Sequence, residues 1–314
     1  MKKKLNIKKI ILVLVVLVFI VYGCMKAVKE YVYTGSFEGR LSLVGYTEEE
    51  IKTITDVLDN KEIENILKKE YNEDYLLFMK EKYFIFNNLD RYMAYFKKKP
   101  KEEISKIVAL INVGADEYWY ENIKETDISK KELMLVNKFN ALKEDYVPEE
   151  LEQIDTFYAY DNVSIRKEIV SIFEELCDKA KDAGYTFVAS LGYRSYTEQY
   201  DSYYSYKSYN GTRKADEDVA HAGHSDHQTG YALEIEPFDL LVEDINKSAE
   251  HKWLINNAYK FGFILRYPEG KEDITGYNYE PWHFRYVGES VAMKIHKENI
   301  TYDEYYAYYI EAKK

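Results

Sequence analysis

Ser225-Asp226-His227-Gln228-Thr229-Gly230-Tyr231-Ala232-Leu233-Glu234 is the stretch on which the fold turns. Gly223 and Gly230 mark a loop, and residues 231–236 (YALEIE) have the pattern of a short strand. Side chains two apart on a strand share a face, so Ala232 and Glu234 point the same way. A histidine in a loop therefore precedes a strand that presents a carboxylate. The chain has six histidines, and His221, His224 and His227 fall within seven positions. Imidazole is the commonest metal ligand, so this density is a signal. The loop keeps the three from sharing one helical face. His221 and His224 read as loop residues, and His227 pairs best with His283, which follows Glu280-Pro281-Trp282. Residues 282–287 form a second strand, on which His283 and Arg285 share a face. Trp282, Phe284 and Tyr286 should pack on the other.

Outward from this segment, residues 163–183 form an amphipathic helix. Ile165, Ile169, Ile172, Phe173, Leu176 and Ala180 make its stripe, and Gly184 follows as a cap. Tyr185 to Leu191 reads as a strand, 196–208 as a helix, and 250–261 as another. Short strands among helices without a βαβ repeat predict an α+β domain. Residues 113–160 are irregular, and the domain boundary falls between about 115 and 135. Before it, 42–120 is a small all-α region. Thr47 to Glu50 resembles a capping box, and amphipathic pieces follow over 51–58, 61–70, 73–84, 87–98 and 101–112. The expected domains are 1–26, 27–41 (a stalk broken by Gly35, Ser36 and Gly39), 42–120 and 130–314.

The first 26 residues differ in kind. Lys2, Lys3, Lys4, Lys8 and Lys9 precede an uncharged run from Ile10 to Met25. Such a pattern predicts an N-terminal membrane helix with its basic flank in the cytoplasm and the remainder on the extracytoplasmic face. Sixteen helical residues span about 24 Å, slightly short of the roughly 30 Å hydrocarbon layer. Val21-Tyr22-Gly23-Cys24 offers the alternative of a lipoprotein attached through Cys24. Either way the protein is displayed outside the cell membrane and tethered to it.

Composition removes other classes. A net charge of −12 argues against nucleic acid as a partner. Two cysteines exclude a disulfide scaffold or Cys-rich zinc module, and Cys177 lies on the apolar stripe of its helix. There is no H-E-x-x-H, no G-x-S-x-G elbow, and no glycine-rich nucleotide motif.

Three ordered motifs then carry a family resemblance: Gly192 to Gln199 (GYRSYTEQ), Ser225 to Glu234, and Glu280 to Gly288 (EPWHFRYVG). They resemble the VanY-type D-alanyl-D-alanine carboxypeptidases, a zinc peptidase group related to lysostaphin and the hedgehog fold. Phe261 to Pro268 and Ile274 to Tyr277 are similar to the family too. The likeness covers about 135–300 and implies a small antiparallel sheet flanked by helices. It also implies Zn2+ as cofactor, held by His227, Glu234 and His283, with Glu280 as general base and Arg194 holding substrate and offsetting the oxyanion. Gln199 and Ser225 fall on positions that help bind the peptide end. The implied activity is removal of the terminal D-alanine from peptidoglycan stem peptides. L,D-carboxypeptidase action on tetrapeptide stems is an alternative. One departure stands out: the family pattern has Asp where this chain has Glu234, one methylene longer. A catalytically degenerate wall-binding protein therefore remains a further alternative.

Overall fold

The computed structural model describes residues 7–160, 162–238 and 242–312, with backbone alone over 7–13 and 242–244. Lys2, Lys3 and Lys4 lie outside the described residues. The chain divides into two units between Val108 and Ala109, a little before the expected boundary.

Helices, three of them opened by a side-chain cap at Ser36, Thr47 or Asp59, make up the first unit. These are α1 (Ile7–Gly35), α2 (Phe37–Val44), α3 (Glu48–Val57), α4 (Asn60–Ile66), α5 (Tyr75–Met79), α6 (Leu89–Lys98) and α7 (Ile104–Val113), the last crossing the division. The Thr47 capping box is present: Thr47 N donates to Glu50 Oε2 at 2.7 Å and Glu50 N to Thr47 Oγ1 at 3.4 Å. Asp59 and Glu62 repeat it on α4. Leu41, Ile54, Ile66, Phe78 and Tyr92 are buried together in this unit's apolar interior, with Phe78 stacked on Tyr92.

The boundary expected at residue 27 has no counterpart in the helix, because α1 continues unbroken to Gly35. No Pro or Gly stands between Met25 and Tyr33, and helix elongation needs only one further hydrogen bond per residue. Ser36 ends the run and caps α2 by accepting from Gly39 N. The membrane helix also finds no support. Among the described residues no helix is long and apolar enough to cross a membrane, and on α1 the apolar side chains are followed by Lys26, Lys29 and Glu30. From Leu14 to Tyr33, fourteen large apolar side chains are each at least 45% exposed.

The second unit is α+β. Two small ladders come first: β1 (Lys124–Glu125) with β2 (Asn140–Ala141), and β3 (Leu151–Gln153) with β4 (Ser164–Arg166). The main sheet contains β5 (Phe187–Leu191), β6 (Ala232–Pro237), β7 (Phe263–Leu265) and β8 (His283–Tyr286), in the antiparallel order β5-β6-β8-β7. Its helices are α8 (Lys167–Asp182), α9 (Tyr196–Asn210), α10 (Thr212–Asp218), α11 (Ala249–Asn257), α12 (Glu272–Thr275), α13 (Glu289–Glu298) and α14 (Tyr302–Tyr306). The predicted helix begins only at Lys167, with Ile165 on β4, and of its stripe Ile169, Phe173, Leu176 and Ala180 share one core with Phe187, Leu233, Ile235 and Phe284 from the sheet, Ile172 packing partly buried against it. Cys177 is part of that core, where burial pushes its thiol up, away from nucleophilic use. Tyr302, Tyr306 and Tyr308 are buried, so the C-terminal tyrosine run packs inward.

A charged network lies beneath the sheet's outer strands. Asp226 accepts from Arg266 Nε at 2.6 Å and from Arg285 Nη1. Arg266 also donates to Asp303 at 2.6 Å and to Val136 O at 3.2 Å. Arg285 Nη2 donates to Glu132 O and Met134 O, and Asn137 Nδ2 to Asp303 Oδ1. Asp226, Arg266 and Arg285 are 0% exposed. The network ties residues 132–137, the His227 turn, β7, β8 and α14 into one body.

Candidate active site

Strand register puts the first two donors together. Glu234 on β6 is directly opposite His283 on β8, so both leave the same face of the sheet. His227 sits in a short 3₁₀ turn, Asp226–Thr229, whose first amides are capped by Ser225 and which exits through Gly230 at φ 72°. His227 Nδ1 donates to Gly192 O at 2.7 Å. Only glycine allows that carbonyl its position, since a Cβ at 192 would stand 2.3 Å from Ser164 O. With Nδ1 engaged, Nε2 is the free nitrogen, and it lies 3.7 Å from Glu234 Oε1. The His227 and His283 ring centroids are 4.7 Å apart.

Glu280 reaches the same place from the turn before β8. Its amide donates to Tyr267 O, and its carboxylate accepts from His283 Nδ1 at 2.8 Å. Arg194 follows β5, and its Nε donates to Gln199 Oε1 at 2.8 Å. The Ser195–Glu198 capping box starts α9 immediately afterwards and fixes the direction of that turn. Gln199 does not face the cleft. It is fully buried, with its Nε2 donating to Ala220 O at 2.7 Å, and it holds Arg194 from behind. Ser225 does line the cleft. Trp282 corrects another expectation: it lines the cleft instead of packing with Phe284. It precedes the first residue of β8 and follows Pro281, so strand alternation does not govern it.

The cleft holds about 310 Å³. A larger cavity of about 530 Å³ lies elsewhere, around Tyr146, Arg166 and Lys143, and contains no histidine. The chemistry thus sits in the smaller space. Residues the sequence did not single out, Tyr267, Tyr277 and Asp218, complete its walls together with Glu236, two positions along β6 from Glu234. Tyr267 packs edge-on against the His283 ring. Tyr267 and Tyr277 belong to segments similar to the family, but only the fold shows that they and Asp218, from the end of α10, meet at the cleft. His221 and His224 stay outside. His221 stacks on Tyr120 and pairs with Asp216 at 2.9 Å, and His224 is buried against Asn137 O.

Burial sets the protonation states. It holds His227 well below the ordinary imidazole range, helped by His283 and Arg194 nearby. Burial raises Glu234, against the pull of His283 and Arg194. It lowers Arg194, which Glu234, Glu280 and Glu198 oppose.

These residues suit a zinc ion. Two ligand atoms at about 2.0–2.2 Å from one tetrahedral ion stand roughly 3.3–3.6 Å apart, close to the His227–Glu234 separation. His227 has the carbonyl-anchored Nδ1 typical of a ligating imidazole, and is neutral as ligation requires. His283 Nε2 is buried with no hydrogen-bond partner. Among the described residues no three such side chains form a group that could hold a metal ion, and His283 Nδ1 is engaged by Glu280.

Residues 162–289 match the model of the family described as VanY, D-alanyl-D-alanine carboxypeptidase. YodJ of Bacillus subtilis (strain 168), named as a proposed carboxypeptidase, is 43% identical over 182 residues, which is 55% of this chain and 66% of that protein. A D-alanyl-D-alanine carboxypeptidase of Enterococcus faecium is 31% identical over 228 residues, covering 69% of this chain and 70% of the relative. Among solved structures, the LdcB LD-carboxypeptidase aligns with a TM-score of 0.56 at 40% identity, over 60% of this chain and 91% of LdcB. By its motifs, its sheet and these likenesses, the chain belongs to the VanY family of D-alanyl-D-alanine carboxypeptidases.

Proposed function

We propose that the protein is a zinc-dependent carboxypeptidase that removes the terminal D-alanine from peptidoglycan stem peptides at the extracytoplasmic face. The observation that carries this reading is the meeting of His227, Glu234, His283, Glu280 and Arg194 in one cleft. His227, Glu234 and His283 would hold the ion, which supplies Lewis-acid activation of water and of the peptide carbonyl. Glu280 accepts a proton from the attacking water and passes it to the departing amine, so that water is divided between the new carboxylate and released D-alanine. Among the described residues the guanidinium of Arg194 has only its Nε engaged by a neighbour. The rest of its fork is available to the substrate carboxylate or the developing oxyanion, with Gln199 keeping it in place. The exposed apolar side chains of α1 and the lysines before them support attachment to the membrane surface.

Likeness to an LD-carboxypeptidase favours a second reading, cleavage of tetrapeptide stems. One assay separates the two. The full chain in detergent is given pentapeptide and tetrapeptide stems, with and without chelator, and D-alanine release and bound zinc are measured. One zinc per chain and chelator-sensitive release are expected, and the preferred stem identifies the reading. Absence of release from both stems, with no bound metal, overturns the proposal and leaves the lengthened carboxylate at 234 as a mark of degeneracy.

A further inference from the structure

The main sheet contains one irregularity, and it lies at the cleft. Along the β5–β6 pairing Val188 faces Glu236 and Ala189 faces Ile235, but Leu191 faces Glu234. Ser190 is therefore the extra residue of a β-bulge, a device that re-aims a side chain. Its hydroxyl donates to Glu236 Oε1 at 2.6 Å. Glu236 shares the face of Glu234, lines the cleft and is half-buried. Its second oxygen has no hydrogen-bond or ion-pair partner among the described residues. The metal set does not need it, because Glu234 and not Glu236 stands opposite His283. The other extra carboxylate of the cleft, Asp218, is satisfied by Lys214, Asn278 and Tyr206. Glu236 is thus a carboxylate held in one orientation with an acceptor free among the described residues, on a cleft that Trp282 also lines.

We propose that Glu236, set by the Ser190 bulge, is a specificity-determining residue that receives the protonated side-chain amine of a diamino acid upstream of the cleaved bond. This rests on the carboxypeptidase reading and adds the substrate class. A lysine-like amine is charged at neutral pH, and its aliphatic stem suits an aromatic wall. A charge-assisted hydrogen bond of this kind discriminates by about tenfold or more.

The test uses the full chain and stem-length peptides ending in D-alanine that differ only in carrying lysine or norleucine at the third position. Turnover gives kcat/KM, and Trp282 fluorescence gives binding independently of turnover. The wild type should favour lysine at least about tenfold in both readouts. Glu236→Gln should bring the ratio close to one, and Ser190→Ala should reduce it partway, with zinc content and circular dichroism unchanged in each. A lysine preference that survives Glu236→Gln overturns the inference. So does equal cleavage of both peptides by the wild type, which leaves the carboxypeptidase reading intact. Loss of zinc in Glu236→Gln overturns it by making Glu236 a ligand. Neither peptide binding nor being cleaved removes both readings together.

Discussion

Asp226 and His227 are consecutive, and they belong to two unlike polar clusters. Asp226 lies in the Arg266–Arg285–Asp303 network, where every charge is buried and each arginine meets a carboxylate and backbone carbonyls. His227 lies in the cleft, where among the described residues a buried imidazole nitrogen of His283 lacks a partner and one oxygen of Glu236 is open. Satisfied charges hold strands and loops in register, whereas unsatisfied donors and acceptors are what a ligand can use. The two clusters share one turn, so the rigidity of the first determines where the second presents its groups.

The sharpest break in this comparison is Glu280→Gln. Turnover should fall by about 100- to 10,000-fold, the worth of a general base, with thermal stability near that of the wild type. Steady-state kinetics and a melting curve on the same protein check it, and retained turnover would refute the assignment of the base. Next is Asp226→Ala, which strands two buried guanidinium groups. Denaturant unfolding should show a loss of about 3–5 kcal/mol, because removal of one partner leaves uncompensated buried charge. A loss under about 1 kcal/mol would mean that the network does not carry the domain.

Gln199→Leu should act between the clusters. Arg194 loses its prop, and kcat should drop about tenfold or more, the scale of one hydrogen bond to a charged group. Gln199→Glu keeps an acceptor for Arg194 and should recover part of that loss. Equal kinetics for the two variants would show that Arg194 is positioned by something else.

The smallest effect concerns His224. Burial lowers its folded-state pKa below the ordinary 6.5. Above about pH 6.5 neither state binds the proton. As pH falls below it, the unfolded chain takes up a proton that the native state resists, so stability declines on acidification. Melting temperatures from pH 7.5 to 5 should therefore fall less steeply in His224→Gln than in the wild type.

Much of the site was legible before any coordinates. The YRS, S-x-H and E-x-W-H segments each carry local patterns, and alternation on 231–236 identified the face of Glu234. The α8 stripe and the Thr47 capping box were legible for the same reason, since both are periodicities within one short segment. Asp226 was not legible as structural, because its partners Arg266 and Arg285 are 40 and 59 positions away. That Gln199 meets Arg194 and Ala220 O was not legible either, because a motif position does not show which way an amide is turned. The strand Phe263–Leu265 is only three residues long and gives no measurable alternation.

Sequence alone supplied the candidates, His227, Glu234, His283, Glu280 and Arg194, in an order that resembles the family's. Those identities are written in residue type and spacing, which act locally. Tertiary structure decided which groups are satisfied and which stay open. The bulge at Ser190, the close approach at Gly192 and the arginine network each depend on backbone segments meeting across long sequence separations, and hydrogen bonding is settled only once they have met.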